Sequence, residues 1–130
     1  MTTSNVHTAT PVPQTGTRIV ATTAGGPEVL ELQEFALPSP GPGQLLVEVA
    51  AAGVNFIDTY LRAGVYRMDY PGPMGFEGAG TVVATGDLSA SDSPNFGPGD
   101  TVAWAASDGS YATHVLVDAE TALAVPPEVD

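Results

Sequence analysis

Cysteine is missing from this 130-residue chain, and so is lysine; the strong cations are three arginines. Without cysteine there is no disulfide, no thiolate nucleophile and no thiolate metal site. Fifteen Asp and Glu residues bring the formal charge to −12, which disfavours nucleic acid and anionic membrane surfaces, since both call for basic patches. Histidine is nearly absent as well. His7 and His114 stand far apart and the carboxylates are scattered singly, so no metal site is expected. The opening MTTSNVHTATPVPQTGT has neither a basic start nor an apolar stretch and does not read as a secretory signal. No apolar run is long enough for a transmembrane helix, and the default location is the cytoplasm.

What is present points to one small, mostly β domain. The chain is 43% apolar, with 15 Gly and 12 Pro punctuating short Val-, Leu- and Thr-rich runs. Residues 1–16, rich in Thr and Pro, read as a disordered leader, and 17–130 as the domain. Strands are expected at 18–24, 29–35, 44–53, 80–86, 100–106, 110–118 and 122–126. Alternation puts Leu30 and Leu32 on one face of the second strand, and Leu45, Val47 and Val49 on one face of the third. Between the third and fourth, the period changes: Phe56, Ile57, Tyr60 and Leu61 fall at helical spacing, with Asn55 placed to cap and Gly64 to stop. Many short strands, one short helix and Gly-rich corners suggest a partly open β-barrel. The chain ends just after a strand, and no strand–loop–helix unit for a whole dinucleotide is present.

Most candidate motifs reduce to structure. Gly75 to Gly80, GFEGAG, has the spacing GxxGxG and runs into the β-branched Thr81, Val82 and Val83. A phosphate loop needs GxGxxG before a helix, so this is a bend entering a strand. Ser107 and Ser110 have no His/Asp partner at a suggestive spacing, Trp104 reads as core or cleft wall, and the acidic loop at 87–99 as solvated. One stretch resists: GVNFIDTYLRAGVY, residues 53–66. It reads as a polar surface helix with Asn55 as cap and Asp58 in the first turn, or as the lining of a ligand site. Arg62 and Arg67, two of the three cations, sit in or beside it. With nearby amide and phenol donors they suit an anionic or carbonyl-bearing ligand.

Four segments in order, AAGVNFIDTYLRAGVY, GFEGAGTV, GPGDTVAW and GSYATHVLVDAE, closely resemble the N-terminal half of the zinc-independent quinone oxidoreductases of the medium-chain dehydrogenase/reductase superfamily. The resemblance covers roughly residues 18 to 130. Where zinc alcohol dehydrogenases of that superfamily carry a cysteine and a His-Glu pair, this chain has Asn55 and Phe76-Glu77. The resemblance therefore implies chemistry without zinc. It also implies a GroES-like catalytic barrel whose Rossmann partner domain, which holds most of NADPH, is absent from this chain. Mapped residue by residue, Asn55 matches the asparagine facing the nicotinamide side, and Tyr60 and Tyr66 the tyrosines lining the cleft. Arg62 and Asp58 are secondary candidates for the substrate cleft. Thr101 stands where many relatives have Arg, and the loop at 87–99 is longer than usual.

The implied reaction passes hydride from the nicotinamide to a quinone or an α,β-unsaturated carbonyl. Asn55, Tyr60 and Tyr66 then meet the developing oxyanion charge. A free tyrosine has a pKa of about 10, so the phenols are assigned to positioning and polarisation, with general-acid duty as the alternative. Two other functions stay open: an enoyl reductase of the same superfamily, and a stand-alone, non-catalytic GroES-like binding module. The Ile57-Asp58-Thr59 run favours the quinone branch. The implied partners are a small-molecule substrate and, in a full-length protein, a second subunit; this piece is expected to be monomeric and inactive alone.

Overall fold

The computed structural model describes residues 12–90 and 95–129. Residues 1–11 of the expected leader, and 91–94 of the acidic loop, lie outside that range. Eight strands and one α-helix follow in the order β1 (Thr15–Ala21), β2 (Leu30–Ala36), β3 (Gln44–Gly53), α1 (Phe56–Ala63), β4 (Gly72–Pro73), β5 (Glu77–Thr85), β6 (Thr101–Trp104), β7 (His114–Asp118) and β8 (Leu123–Ala124). They form an antiparallel three-stranded sheet, β2-β1-β4, and an antiparallel five-stranded sheet, β7-β3-β5-β6-β8. The sheets are not closed into a full cylinder, as expected of a mostly β, partly open barrel.

Residues 111–113 join the two sheets. The Ile19 N–H donates to the Tyr111 carbonyl at 2.8 Å and the Thr113 N–H to the Thr17 carbonyl at 2.8 Å, which pins this segment along β1. The chain then runs on as β7 and pairs with β3. The expected strand at 110–118 is therefore split, its first half serving one sheet and its second half the other.

Alternation on β3 places Leu45 and Val47 in the core with Val82, Val102, Val115 and Val117, and Val49 packs against it. Leu46 on the opposite face is also buried, because the Pro-rich stretch at 37–40 passes beside it. Such two-sided cover loses the simple inside–outside alternation. β2 behaves differently. It is an edge strand, and Leu32, on its apolar face, is 66% exposed.

Two strands start three residues earlier than expected. β1 begins at Thr15, inside the stretch read as leader, where Thr15 and Gly16 pair with Ala36 and Phe35. Thr, Gly and Thr carry no aliphatic pattern, so pairing alone reveals the strand. β5 begins at Glu77 rather than residue 80, and Glu77 pairs with Gly53. Gly75 just before it turns with φ +92°, the bend read from GFEGAG. The early start brings Glu77 beside the first turn of α1.

Candidate functional site

The helix α1 forms where its signals stand. Asn55 takes the extended N-cap conformation (φ −120°, ψ 154°), Asp58 occupies N3 of a capping box, and Gly64 ends the helix at φ +87°. The Asp58 carboxylate oxygen Oδ2 accepts the Asn55 backbone N–H at 3.0 Å. At the far end Arg62 Nε donates to the Gly25 carbonyl at 3.1 Å, and the Gly25 N–H to the Arg62 carbonyl at 2.9 Å. The Tyr70 hydroxyl donates to the Leu61 carbonyl.

The outward face of α1 and the turn beyond it is aromatic and uncovered. Tyr60 is 42% exposed and Tyr66 51%, with ring centroids 5.5 Å apart in an edge-on arrangement. Phe56 stacks on Tyr60 at 6.5 Å, and Val54 and Phe56 are largely bare. An open cleft of about 360 Å³ is walled by Leu61, the one α1 residue to reach it, with Met68, Met74 and Phe76, and has Arg67, Asp69 and Asp108 at its polar side; Asn55, Tyr60 and Tyr66 do not line it. The apolar wall suits a flat organic ring, and Arg67 is the one cation at the cleft, beside Asp69 and Asp108.

The two arginines next to α1 thus take different roles. Arg62 is tied back to the 25–26 turn, whereas Arg67 lines the cleft. Asp58, the other secondary cleft candidate, is 3% exposed. Its Oδ2 also accepts the Tyr111 hydroxyl at 2.5 Å, and its Oδ1 has no partner among the described residues. Asn55 Nδ2 donates to Glu77 Oε1 at 2.5 Å, so one of its two amide hydrogens is already engaged.

Tyr111 and Glu77 are the site residues that sequence reasoning did not single out. Both are distant in sequence, Tyr111 lying 53 positions beyond Asp58, and no spacing rule relates them. Burial, the hydrogen bond it donates to Asp58, and the charges of Asp58 and Glu77 all raise the Tyr111 pKa far above the ordinary tyrosine range. Its hydroxyl stays protonated across any working pH.

The remaining polar residues are structural. Ser110 is fully buried; its Oγ accepts Trp104 Nε1–H at 2.9 Å and donates to the Ser107 carbonyl at 2.6 Å. His114 Nδ1 lies 3.0 Å from Thr113 Oγ1, and its Nε2 lies 4.0 Å from Glu48. Among the described residues no three His, Cys, Asp or Glu side chains cluster as a metal site. No helix there is long and apolar enough to cross a membrane.

Residues 41–127 match the model of the alcohol dehydrogenase GroES-like domain. A quinone oxidoreductase of Pseudomonas aeruginosa is 41% identical over 116 residues, which is 87% of this chain and 34% of the relative. A mycobacterial protein solved in complex with NADPH is 39% identical with a TM-score of 0.78, the match covering 88% of this chain and 34% of that one. The Escherichia coli quinone oxidoreductase complexed with NADPH is 36% identical with a TM-score of 0.77, over 88% of this chain and 34% of that one. The chain spans about a third of the length of the curated relatives it matches.

Proposed function

From the premise that the chain belongs to the alcohol dehydrogenase GroES-like domain family, we propose that it is the catalytic-domain portion of an NADPH-dependent quinone oxidoreductase working without zinc. The observation that carries this reading is the uncovered aromatic face of α1, the helix whose Leu61 walls the 360 Å³ cleft, in a chain similar to quinone oxidoreductases, one of them solved with NADPH.

The residues present fit a nicotinamide. Tyr60 and Asn55 are the groups to hold its ring, the first through an exposed phenol face and the second through its remaining amide hydrogen. When bound, NADPH supplies a hydride for a quinone or an α,β-unsaturated carbonyl. The Tyr60 and Tyr66 hydroxyls donate to the acceptor oxygen and polarise it as charge develops there. Their edge-on packing at 5.5 Å restricts both rings, so the donors are held in place before the acceptor arrives. Arg67 adds a positive charge at the cleft wall. Solvent supplies the proton that the hydride-reduced acceptor takes up.

The donor set supports chemistry without zinc. Phe76 offers no ligand atom, and Asn55 offers only a neutral amide oxygen in place of a thiolate.

The test is a full-length protein assayed with NADPH and either 1,4-naphthoquinone or a crotonyl thioester. Quinone reduction is expected to be faster, and Tyr60→Phe and Tyr66→Phe each to lower turnover on the order of tenfold or more. Full activity in both variants would remove the tyrosines from the mechanism. Faster thioester reduction would move the protein to the enoyl reductases. Self-association without any binding of pyridine nucleotide would leave a binding module.

A further inference from the structure

We infer that Tyr111 is a positioning residue for the α1 face: by holding the Asp58 carboxylate it fixes the first turn of the helix, and with it the placing of Asn55 and Tyr60. The inference rests on the functional reading above for its catalytic consequence, though not for the hold itself.

Tyr111 is suited to act as a fixed post. Its N–H donates to the Met74 carbonyl at 3.0 Å, and its carbonyl accepts the Ile19 N–H at 2.8 Å, so its backbone is bonded to two other segments of the barrel. Its ring lies against Gly75 so closely that a Cβ there would sit 2.5 Å from Tyr111 Cδ1. A ring held on that side has one place for its hydroxyl, and Asp58 Oδ2 is there, 2.5 Å away.

Asp58 in turn depends on that hydroxyl. It is 3% exposed, and an ionised carboxylate removed from water must be compensated by donors. Oδ2 receives two, the Tyr111 O–H and the Asn55 N–H, while Oδ1 has no partner among the described residues. Removing the tyrosine hydroxyl leaves one backbone donor for a buried charge.

Asn55 is consequently held from two directions. Its backbone is fixed through Asp58 to Tyr111, and its side chain through Nδ2 to Glu77 at the start of β5. Tyr60 lies on the same short helix, so its position follows that of the first turn. Burial and the two nearby carboxylates keep the proton on Tyr111, which makes this tyrosine a poor proton source during turnover and a permanent donor to Asp58.

The experiment compares the full-length protein with Tyr111→Phe, Asp58→Asn, Asp58→Ala and the Tyr111→Phe/Asp58→Ala double variant. Backbone hydrogen exchange is read alongside kcat, KM and the pH profile for NADPH and 1,4-naphthoquinone. Tyr111→Phe is expected to speed exchange in the first turn of α1 about tenfold without changing exchange in β3. It is also expected to lower kcat about tenfold through misplacement of the site, with the shape of the pH profile kept between about pH 6 and 9. Asp58→Asn, which keeps an acceptor oxygen, falls between the wild type and Asp58→Ala. The double variant is no worse than Asp58→Ala alone. Unchanged exchange in the first turn overturns the inference, as do additive losses in the double variant. A shifted pH profile in Tyr111→Phe also overturns it, since that would place the tyrosine in proton transfer. If the wild type reduces no quinone, the functional reading fails, and the exchange and coupling results still decide the role of Tyr111 in holding α1.

Discussion

Asp58 holds the third position of a helix, where a carboxylate ordinarily reaches into water and gains a few tenths of a kcal/mol from the helix dipole. Here it is buried beneath Tyr111. Its first-turn position was readable from Asn55-x-x-Asp58. The partner was not, because a hydrogen bond across 53 residues leaves no periodic trace. Its titration carries a consequence for stability. The Tyr111 pKa is raised in the folded chain, so between the unfolded value of about 10 and the higher folded one the native state binds the extra proton. Stability contributed by this group is complete below about pH 10 and is lost as pH climbs above it. Urea midpoints taken across the alkaline range should fall above about pH 10, and Tyr111→Phe should flatten that fall. A slope identical in the variant would show that Tyr111 does not carry the effect.

At the level of elements, α1 is clamped at both ends, and the clamps differ in kind. Its start is fixed by Asp58 and Glu77, its end by the exchange of hydrogen bonds between Arg62 and Gly25. The helix was legible from residue 55 to 64 because cap, periodic face and glycine stop all agree. β5 was legible only from residue 80, since Glu77, Gly78 and Ala79 have low strand propensity and are recruited by pairing with Gly53, Ala52 and Ala51. That missed extension is what brings Glu77 to Asn55. The two arginines offer a way to separate holding from binding. Arg62→Ala removes a charge-assisted bond on a half-exposed side chain and is expected to cost about 1 kcal/mol in urea unfolding. Arg67→Ala, at an exposed cleft wall, is expected to leave the unfolding midpoint in place and to raise KM for a sulfonated quinone several-fold. The opposite pattern would assign the cleft to Arg62.

Across the whole molecule, one feature bears on both sheets: a formal charge of −12 spread over a small domain. The deficit of cations was plain in the sequence, as were the mostly β class and the partly open barrel. What the sequence hid was which segment ties the sheets together: Tyr111–Thr113, read as the first half of a single strand, instead bonds to Thr17 and Ile19 of the other sheet. Among the described residues, no arginine lies within 4.0 Å of a carboxylate; the one contact at that distance is between His114 Nε2 and Glu48. Attraction between fixed charges therefore does little to offset repulsion among the carboxylates. Screening should matter more here than in a balanced protein. At low ionic strength the repulsion reaches across the domain, whereas at about 0.5 M salt the Debye length drops to roughly 4 Å. Relief of even about 1 kcal/mol would raise the Tm by roughly 4 °C in a domain of this size. Melting curves in 20 mM and 0.5 M sodium chloride test the point. A rise of that order is expected, and a flat response would mean that the carboxylates are spaced widely enough for water alone to screen them.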